Sequence, residues 1–270
     1  ATSACRPAVS VITTVGYDHR EWLGETLGRI AAEKAGILRR GVPLVIGRLR
    51  PAARAVVLRR ARRLGCDAWE LGRTFDWSAR RDGAISISLP GVDLEEIRVG
   101  MVGRFQLDNA AVALAAAWLL ASGEGIGPGA FAAAAVSALP ASRCPGRLCP
   151  VPLRKNVGAW VDGGHNPEAA AALARELSVL PPWGKGRRLI AVWSMLADKD
   201  ASGYQRELAE HLDGIVAYPL SQPRGAELPA LAAACGPVTA LRGAHCAGLP
   251  RRVTVSHDFG CRKHLPLWIS

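Results

Sequence analysis

The segment 162–168 (Asp-Gly-Gly-His-Asn-Pro-Glu) combines polar side chains with glycines, as ligand-binding strand ends do. It follows the short apolar run Ala159–Val161, and its Asn-Pro pair is typical of the cap and first residue of a helix. The two glycines let backbone approach a ligand, and a helix N-terminus attracts phosphate or carboxylate. The start of a helix requires neither the carboxylate of Asp162 nor the imidazole of His165. The segment therefore predicts an anion-binding site, with an ordinary helix cap as the simpler alternative.

A second polar segment, Gly16–His19, follows the β-branched run Val9–Val15, which predicts a buried strand. Ligands of parallel α/β sheets bind at the carboxyl ends of the strands, where this segment would lie. The neutral imidazole of His19 could ligate a metal there. A surface histidine in a turn is the alternative.

Two further candidates lie at predicted helix ends. Lys34 falls in the last turn of a helix that Gly36 is predicted to end, where a lysine would simply complement the helix dipole. Asp108 is predicted to cap a long helix, Asn109–Ala121, which places the Asn109 amide at its N-terminus. Taken singly, both patterns favour structural roles.

The elements around these segments indicate an α/β protein in two parts. In the first part, strand and helix patterns alternate, and a β-hairpin region spans Trp69–Val102. The segment Pro140–Pro152 holds four prolines without periodicity and predicts a domain boundary. Strands and helices then alternate regularly up to Cys235, which predicts a parallel sheet with helical crossovers.

Composition fits a globular protein, with 49% hydrophobic and 21% charged residues. The net charge of +11 suits anionic partners such as ATP or folates, whereas the scattered arginines argue against a nucleic-acid site. Seven cysteines without a C-x-x-C pair indicate reduced thiols. The apolar runs are predicted to be too short to cross a bilayer, and no signal pattern begins the sequence, so a cytoplasmic location and no membrane partner are expected.

Six segments in register resemble the folate-synthase branch of the Mur ligase superfamily. They are V-I-T-T-V-G-Y-D-H-R-E-W-L-G, I-A-A-E-K-A-G-I, D-N-A-A-V-A-L, P-G-R-L, D-G-G-H-N-P and M-L-A-D-K-D. A weaker seventh match is P-L-S-Q-P-R-G-A at 219–226, and the resemblance runs from about Ala1 to Ala234. It implies the end of a Mur-type central ATPase domain at 1–142 and a Rossmann-like, mainly parallel glutamate-ligase domain at 143–242.

The resemblance also implies an activity. ATP would phosphorylate the carboxylate of dihydropteroate or a folate, and the amine of L-glutamate would attack the acyl phosphate. Mg²⁺ and cationic side chains are the expected catalysts, because both steps crowd negative charge together. A monomer is expected.

By resemblance, seven residues have roles in this reaction. The metal ligands are His19 and a carbamylated Lys34, the ATP contacts are Asn109, Arg147 and Asp162, and His165 and Lys199 serve the phosphate and glutamate sites. The resemblance reverses the helix-capping interpretation of Lys34.

Two features depart from the family pattern. The glycine-rich loop G-T-x-G-K-G-S does not occur in these 270 residues. The chain is therefore expected to be incomplete and to have no activity on its own. Residues 243–270 show neither the expected turn nor helical periodicity, which suggests a frameshifted tail that offers no element to the sheet. Its Cys246, His257, Cys261 and His264 match no trusted zinc spacing. Another Mur-type ligase and a non-catalytic nucleotide- or folate-binding fragment remain alternatives.

Overall fold

The computed structural model describes residues 7–16, 26–151, 158–178, 189–235, 240–242 and 267–269. The chain divides into two compact units, Ala1–Arg143 and Cys144–Ser270. We call them the N-terminal unit and the C-terminal unit.

A three-stranded parallel sheet begins the N-terminal unit. Its strands lie in the order β1-β2-β3 and are Ser10–Ile12, Leu44–Ile46 and Ala68–Glu70. The middle strand is an unbroken apolar run whose three side chains are fully buried, as expected for a parallel strand covered on both faces. Two helices, α1 (Leu27–Lys34) and α2 (Pro51–Leu64), pack against each other beside this sheet and bury their apolar faces in one core.

The ends of these helices follow local capping chemistry. The side chain of Thr26 accepts a hydrogen bond from the Arg29 N–H, which starts α1. Gly65 ends α2 in the left-handed conformation, with φ of 64°. The predicted C-cap role of Gly36 is wrong, because α1 passes into a 3₁₀ turn, Ala35–Ile37, without a left-handed residue.

The predicted hairpin region forms a three-stranded antiparallel sheet. Its strands are β4 (Asp76–Ala79), β5 (Ile85–Leu89) and β6 (Val92–Ile97). Residues 85, 87 and 89 of β5 are buried, so one face of the sheet joins the core. Helices α3 (Arg104–Gly123) and α4 (Pro128–Ala138) contribute to the same core, where the rings of Trp118 and Phe131 lie 5.1 Å apart.

Helix α3 differs from its prediction in two ways. It begins at Arg104 and not at Asn109, because Gly103, with φ of 106°, makes the sharp entry that starts the helix. Asp108 therefore lies inside the helix and does not cap it. With 20 residues, α3 is also long and apolar enough to cross a membrane, contrary to the estimate from its apolar run. Seven of its 20 residues are buried in the unit.

The C-terminal unit contains a six-stranded sheet in the order β11-β10-β9-β12-β8-β7. The strands are Cys149–Val151 (β7), Ala159–Val161 (β8), Ile190–Trp193 (β9), Gly214–Ala217 (β10), Ala240–Arg242 (β11) and Leu267–Ile269 (β12). Strands β9, β10 and β11 are parallel. Strand β12 is antiparallel to both β8 and β9, so β8 runs in the same direction as β9. The connecting helices are α5 (Pro167–Leu177), α6 (Ala201–Leu208) and α7 (Leu228–Ala234).

Strand β12 corrects the expectation for the tail. Residues 243–270 were predicted to offer nothing to the sheet, but the backbone of Leu267–Ile269 pairs with two strands at once. The prediction relied on helical periodicity, whereas this segment is a run of strand-forming residues too short to show a period. The four tail residues weighed as zinc ligands lie outside the described residues.

Candidate active site

Three loops meet at one edge of the C-terminal sheet. Strands β8, β9 and β10 run in the same direction, so their carboxyl ends share this edge. Asp162 follows β8, Met195 lies two residues beyond β9, and Tyr218 follows β10. This is the side of an α/β sheet where ligands bind. The sequence segments D-G-G-H-N-P and M-L-A-D-K-D therefore lie at the same edge of the sheet, after two strands that β12 separates.

Asp162 connects the β8 loop to the turn that carries Arg147. Its carboxylate is buried, with one oxygen accepting from the Leu148 N–H at 2.8 Å and the other from the Gly164 N–H at 2.7 Å. Burial raises the pKa of Asp162 above its usual value, and these two donors, followed by the charges of Arg147 and His165, oppose that rise. The structure thus brings Arg147, Asp162 and His165 together.

The turn before β7 has an unusual backbone. The Arg147 N–H donates to the Cys144 carbonyl at 3.1 Å, and Gly146 has φ of 73°. Leu148 follows with φ of 44°, a left-handed conformation that costs a non-glycine residue about 1–2 kcal/mol. The bond to Asp162 and the burial of the Leu148 side chain offset this cost. The Arg147 side chain itself is exposed at this turn.

His165 and the start of α5 complete the β8 loop. Nδ1 of His165 lies 3.0 Å from the Gly163 carbonyl oxygen, and since that oxygen only accepts, Nδ1 carries the proton. Asn166 caps α5 by accepting from the Ala169 N–H at 2.8 Å, as its sequence position predicted. The loop therefore presents an oriented imidazole beside a capped helix N-terminus.

A buried aromatic residue that sequence reasoning missed lies beneath this loop. Tyr204 of α6 is fully buried and stacks on Trp193 of β9, with 6.3 Å between ring centroids. A Cβ atom added at Gly164 would lie 2.8 Å from a carboxylate oxygen of Asp162 and 3.7 Å from the Tyr204 ring. Burial, and then the nearby charge of Asp162, raises the pKa of Tyr204. Glycine at 164 thus leaves room for the Asp162 carboxylate, whereas an added Cβ would meet the Tyr204 ring only at an ordinary contact distance.

Lys199 belongs to the β9 loop of the same edge. This loop is joined to the β10 loop by two backbone hydrogen bonds, Ala197 N–H to Arg224 O at 3.0 Å and Ala226 N–H to Met195 O at 2.9 Å. An ion pair between Arg224 and Asp198, 2.8 Å long, adds a side-chain link. The weaker matching segment 219–226 therefore supports the segment that carries Lys199, whose side chain is half-buried.

In the N-terminal unit, a polar network includes Asp108, the residue before the predicted ATP contact Asn109. Arg48, two residues beyond β2, donates to Asp76 at 2.7 Å and to Asp108 at 3.3 Å. The Trp77 indole N–H donates to the same Asp108 oxygen at 2.8 Å. Asn109 is exposed and donates to the Gln106 side chain at 3.0 Å. The network fixes the helix turn on which Asn109 lies.

Sequence reasoning missed Arg48, although a signal was available. A glycine next to a charged residue just beyond a buried strand, here Gly47-Arg48, is similar to the Asp162-Gly163 pair that drew attention to the other site. About half of the Arg48 and Asp76 side chains is exposed, so this pair contributes little to stability and mainly positions the groups.

Gly47, one residue before Arg48, allows a prediction about the close packing of β1 and β2. Substitution to alanine would place a Cβ atom 2.2 Å from the Thr13 carbonyl oxygen, so β1 and β2 would have to separate. We expect Gly47→Ala to lower the free energy of unfolding by about 1–3 kcal/mol, measured by urea denaturation. Gly36→Ala is the matched control, since nothing lies within 4 Å of its added Cβ. Equal effects of the two substitutions would contradict the prediction.

The predicted metal ligands are only partly within the described residues. His19 lies outside them. Lys34 is the last residue of α1 and is exposed. An unmodified ammonium group donates hydrogen bonds and cannot ligate a metal. Within the described ranges, no three His, Cys, Asp or Glu side chains are grouped to hold a metal ion. The described His, Cys, Asp and Glu residues alone therefore do not form a magnesium site.

Both units match known protein families. The Mur ligase middle domain matches residues 1–117, and the Mur ligase glutamate ligase domain matches residues 146–258. The dihydrofolate synthase/folylpolyglutamate synthase of Mycobacterium tuberculosis is 32% identical over 248 residues, 87% of this chain and 49% of that protein. The protein of the same description from Escherichia coli is 33% identical over 226 residues, 84% of this chain and 50% of that protein. The chain spans about half the length of these curated relatives.

Solved structures give the same result. Escherichia coli FolC in complex with DHPP and ADP matches with a TM-score of 0.72 at 32% identity, over 87% of this chain and 52% of that chain. Mycobacterium tuberculosis folylpolyglutamate synthase complexed with ADP and AMPPCP matches with a TM-score of 0.72 at 31% identity, over 85% of this chain and 51% of that chain. The predicted Mur-type α/β fold is confirmed.

Proposed function

This chain belongs to the Mur ligase family, in its dihydrofolate and folylpolyglutamate synthase branch, and from that membership we propose that it is part of an ATP-dependent ligase that joins L-glutamate to dihydropteroate or folates. The identities of 32% and 33% to curated synthases support this branch over the other Mur-type ligases. The activity would belong to a protein that joins this chain to a glycine-rich phosphate-binding loop.

The proposed reaction has two steps. The carboxylate of dihydropteroate or of a folate attacks the γ-phosphorus of ATP, which forms an acyl phosphate and releases ADP. The amine of L-glutamate then attacks the acyl carbon, and phosphate leaves as the amide bond forms and the amine loses a proton. Cationic side chains near the phosphates stabilise the charge that develops in both steps. Bound magnesium would supply the same electrostatic stabilisation.

The arrangement of residues around Asp162 is the structural observation that supports the proposed function. Its two hydrogen bonds hold the Arg147 turn against the β8 loop, so an exposed guanidinium and the His165 imidazole lie at one strand end. We infer that Arg147 binds ATP phosphate and that His165 lies near the reacting phosphate and glutamate. Each carboxylate oxygen of Asp162 has a second lone pair, so contact with a ribose hydroxyl stays compatible with its positioning role.

The remaining assignments are part of the same proposal. Asn109 would contact ATP, Lys199 would hold the glutamate carboxylate as a point charge, and His19 and carbamylated Lys34 would ligate magnesium. We also propose a cytoplasmic monomer.

Arg147→Ala tests the nucleotide part of this function. We expect the dissociation constant for ADP to rise about tenfold or more, because a charge-assisted hydrogen bond to phosphate contributes about 1.5–3 kcal/mol. Isothermal titration calorimetry on the 270-residue chain measures the change. Arg147→Lys should lose part of the affinity, since lysine keeps the charge without the planar fork.

Arg175→Ala is the matched control. Arg175 is also an exposed arginine of the C-terminal unit, but it lies in the last turn of α5, about 12 Å along the helix from its capped start. Its removal should leave ADP affinity unchanged. The proposal fails if the two variants bind ADP equally well, or if ADP does not protect the Arg147 turn from hydrogen exchange.

A further inference from the structure

Two cysteines enclose the Arg147 turn. The Cys149 thiol donates to the carbonyl oxygen of Cys144 at 2.9 Å, and the Arg147 carbonyl oxygen lies 3.8 Å from the same sulfur. Both thiols are free and partly exposed. The side chain of Cys149 therefore already lies against the residue that carries the other thiol.

The backbone of the turn produces this proximity. The turn that closes with the Arg147 N–H to Cys144 carbonyl bond reverses the chain once, and the left-handed Leu148 turns it again. As a result, the sulfur of Cys149 lies beside Cys144, although the two residues are five positions apart in the sequence. A disulfide needs Cα atoms about 4.4–6.8 Å apart, which requires a folded-back segment of this kind.

Two other described cysteines, Cys66 and Cys235, lie outside this turn. Cys66 donates to the Arg39 carbonyl at 3.2 Å, and Cys235 donates to the Leu231 carbonyl at 3.2 Å. Burial raises the pKa of both thiols, which lowers the fraction present as reactive thiolate. They serve as internal references for reactivity.

We propose that Cys144 and Cys149 are a redox-modification site that closes the Arg147 turn with an intramolecular disulfide when a hydroperoxide is present. One thiolate attacks the peroxide oxygen, the O–O bond breaks, and a sulfenic acid and an alcohol or water are formed. The other thiolate attacks the sulfenic sulfur, the S–S bond forms, and hydroxide leaves and is protonated to water. Two thiols and one hydroperoxide give one disulfide, one alcohol (or water) and one water.

The disulfide would join the two ends of a six-residue ring that contains Arg147. The turn would then be held covalently as well as by the bond from Leu148 to Asp162. Any effect on nucleotide binding rests on the proposed function, whereas formation of the disulfide does not. The test therefore uses the chain without nucleotide.

Peptide mapping of the oxidised chain tests the site. The reduced 270-residue chain is treated with about one equivalent of hydrogen peroxide, alkylated and digested with trypsin. Trypsin cuts between the two cysteines, after Arg147, so the disulfide joins the peptides Cys144–Arg147 and Leu148–Arg154. We expect this linked pair of peptides to be the main oxidation product. Its mass should equal the summed masses of the two reduced peptides minus two hydrogen atoms, and reduction should separate the two peptides.

The oxidised chain should also unfold several degrees higher than the reduced chain, because a disulfide that fits the native turn restricts the unfolded ensemble. Cys149→Ser should remove both the linked pair and the increase, and Cys235→Ser should change neither. The proposal is overturned if either cysteine links equally well to another cysteine, if the pair forms only in urea, or if oxidation lowers the unfolding temperature.

Discussion

Replacing Asp162 by asparagine is expected to lower the free energy of unfolding of the C-terminal unit by about 2–3 kcal/mol, although the two side chains have nearly the same shape. The carboxylate accepts from Leu148 and Gly164 through different oxygens. Asparagine offers one carbonyl oxygen, so its NH₂ group would face one of the two N–H donors. A buried donor without an acceptor costs about 1–3 kcal/mol, and loss of the charge weakens the bond that remains.

Urea denaturation of the variant measures this loss, and hydrogen exchange at the Leu148 and Gly164 amides locates it. Asp198→Asn is the matched control, because Asp198 lies at the same sheet edge but pairs with the exposed Arg224. That substitution should change stability by less than about 1 kcal/mol. If both variants lost the same small amount, Asp162 would have no special role in holding the Arg147 turn.

The location of the candidate site at the end of β8 could be predicted from sequence, but the contacts between its residues could not. The D-G-G-H-N-P segment was identified because glycines, a helix cap and a strand end are local patterns. The role of Asp162 depends on the turn at 144–148, whose left-handed Leu148 no propensity indicates. The family resemblance suggested that Asp162 contacts ATP, and the structure adds two backbone partners that no local pattern could reveal.

The N-terminal unit shows the same division between local and long-range information. Its helices and hairpin strands follow from apolar periodicity, which short segments carry. The network around Arg48 joins residues 28 and 60 positions apart, so no short pattern contains it. The start of α3 was placed too late because the prediction took Asp108 as a cap, whereas Gly103 provides the entry and Asp108 binds Arg48 and Trp77.

Lys34 has two interpretations, one as a helix-end cation and one as a metal ligand. It is exposed in the last turn of α1, where a cation complements the helix dipole. In the proposal drawn from family resemblance, it would instead react with carbon dioxide to form a carbamate, whose oxygens would ligate magnesium. A carbamate carries negative charge, which the negative end of the helix dipole disfavours, so carbamylation would need the metal to stabilise the product.

Lys34→Arg separates these interpretations in a ligase that joins this chain to the glycine-rich loop. We expect a loss of about a hundredfold or more in glutamate-dependent ADP release, equal to that of Lys34→Ala, because a guanidinium keeps the charge but does not form the carbamate. Acetate should partly restore the alanine variant by occupying the vacated ligand position, and His19→Ala should not respond to it. Arg29→Ala, which removes another exposed charge from α1, is the control and should retain activity. Near-normal turnover by the arginine variant would leave Lys34 with the helix-dipole role alone, since only that role is satisfied by charge without an oxygen ligand.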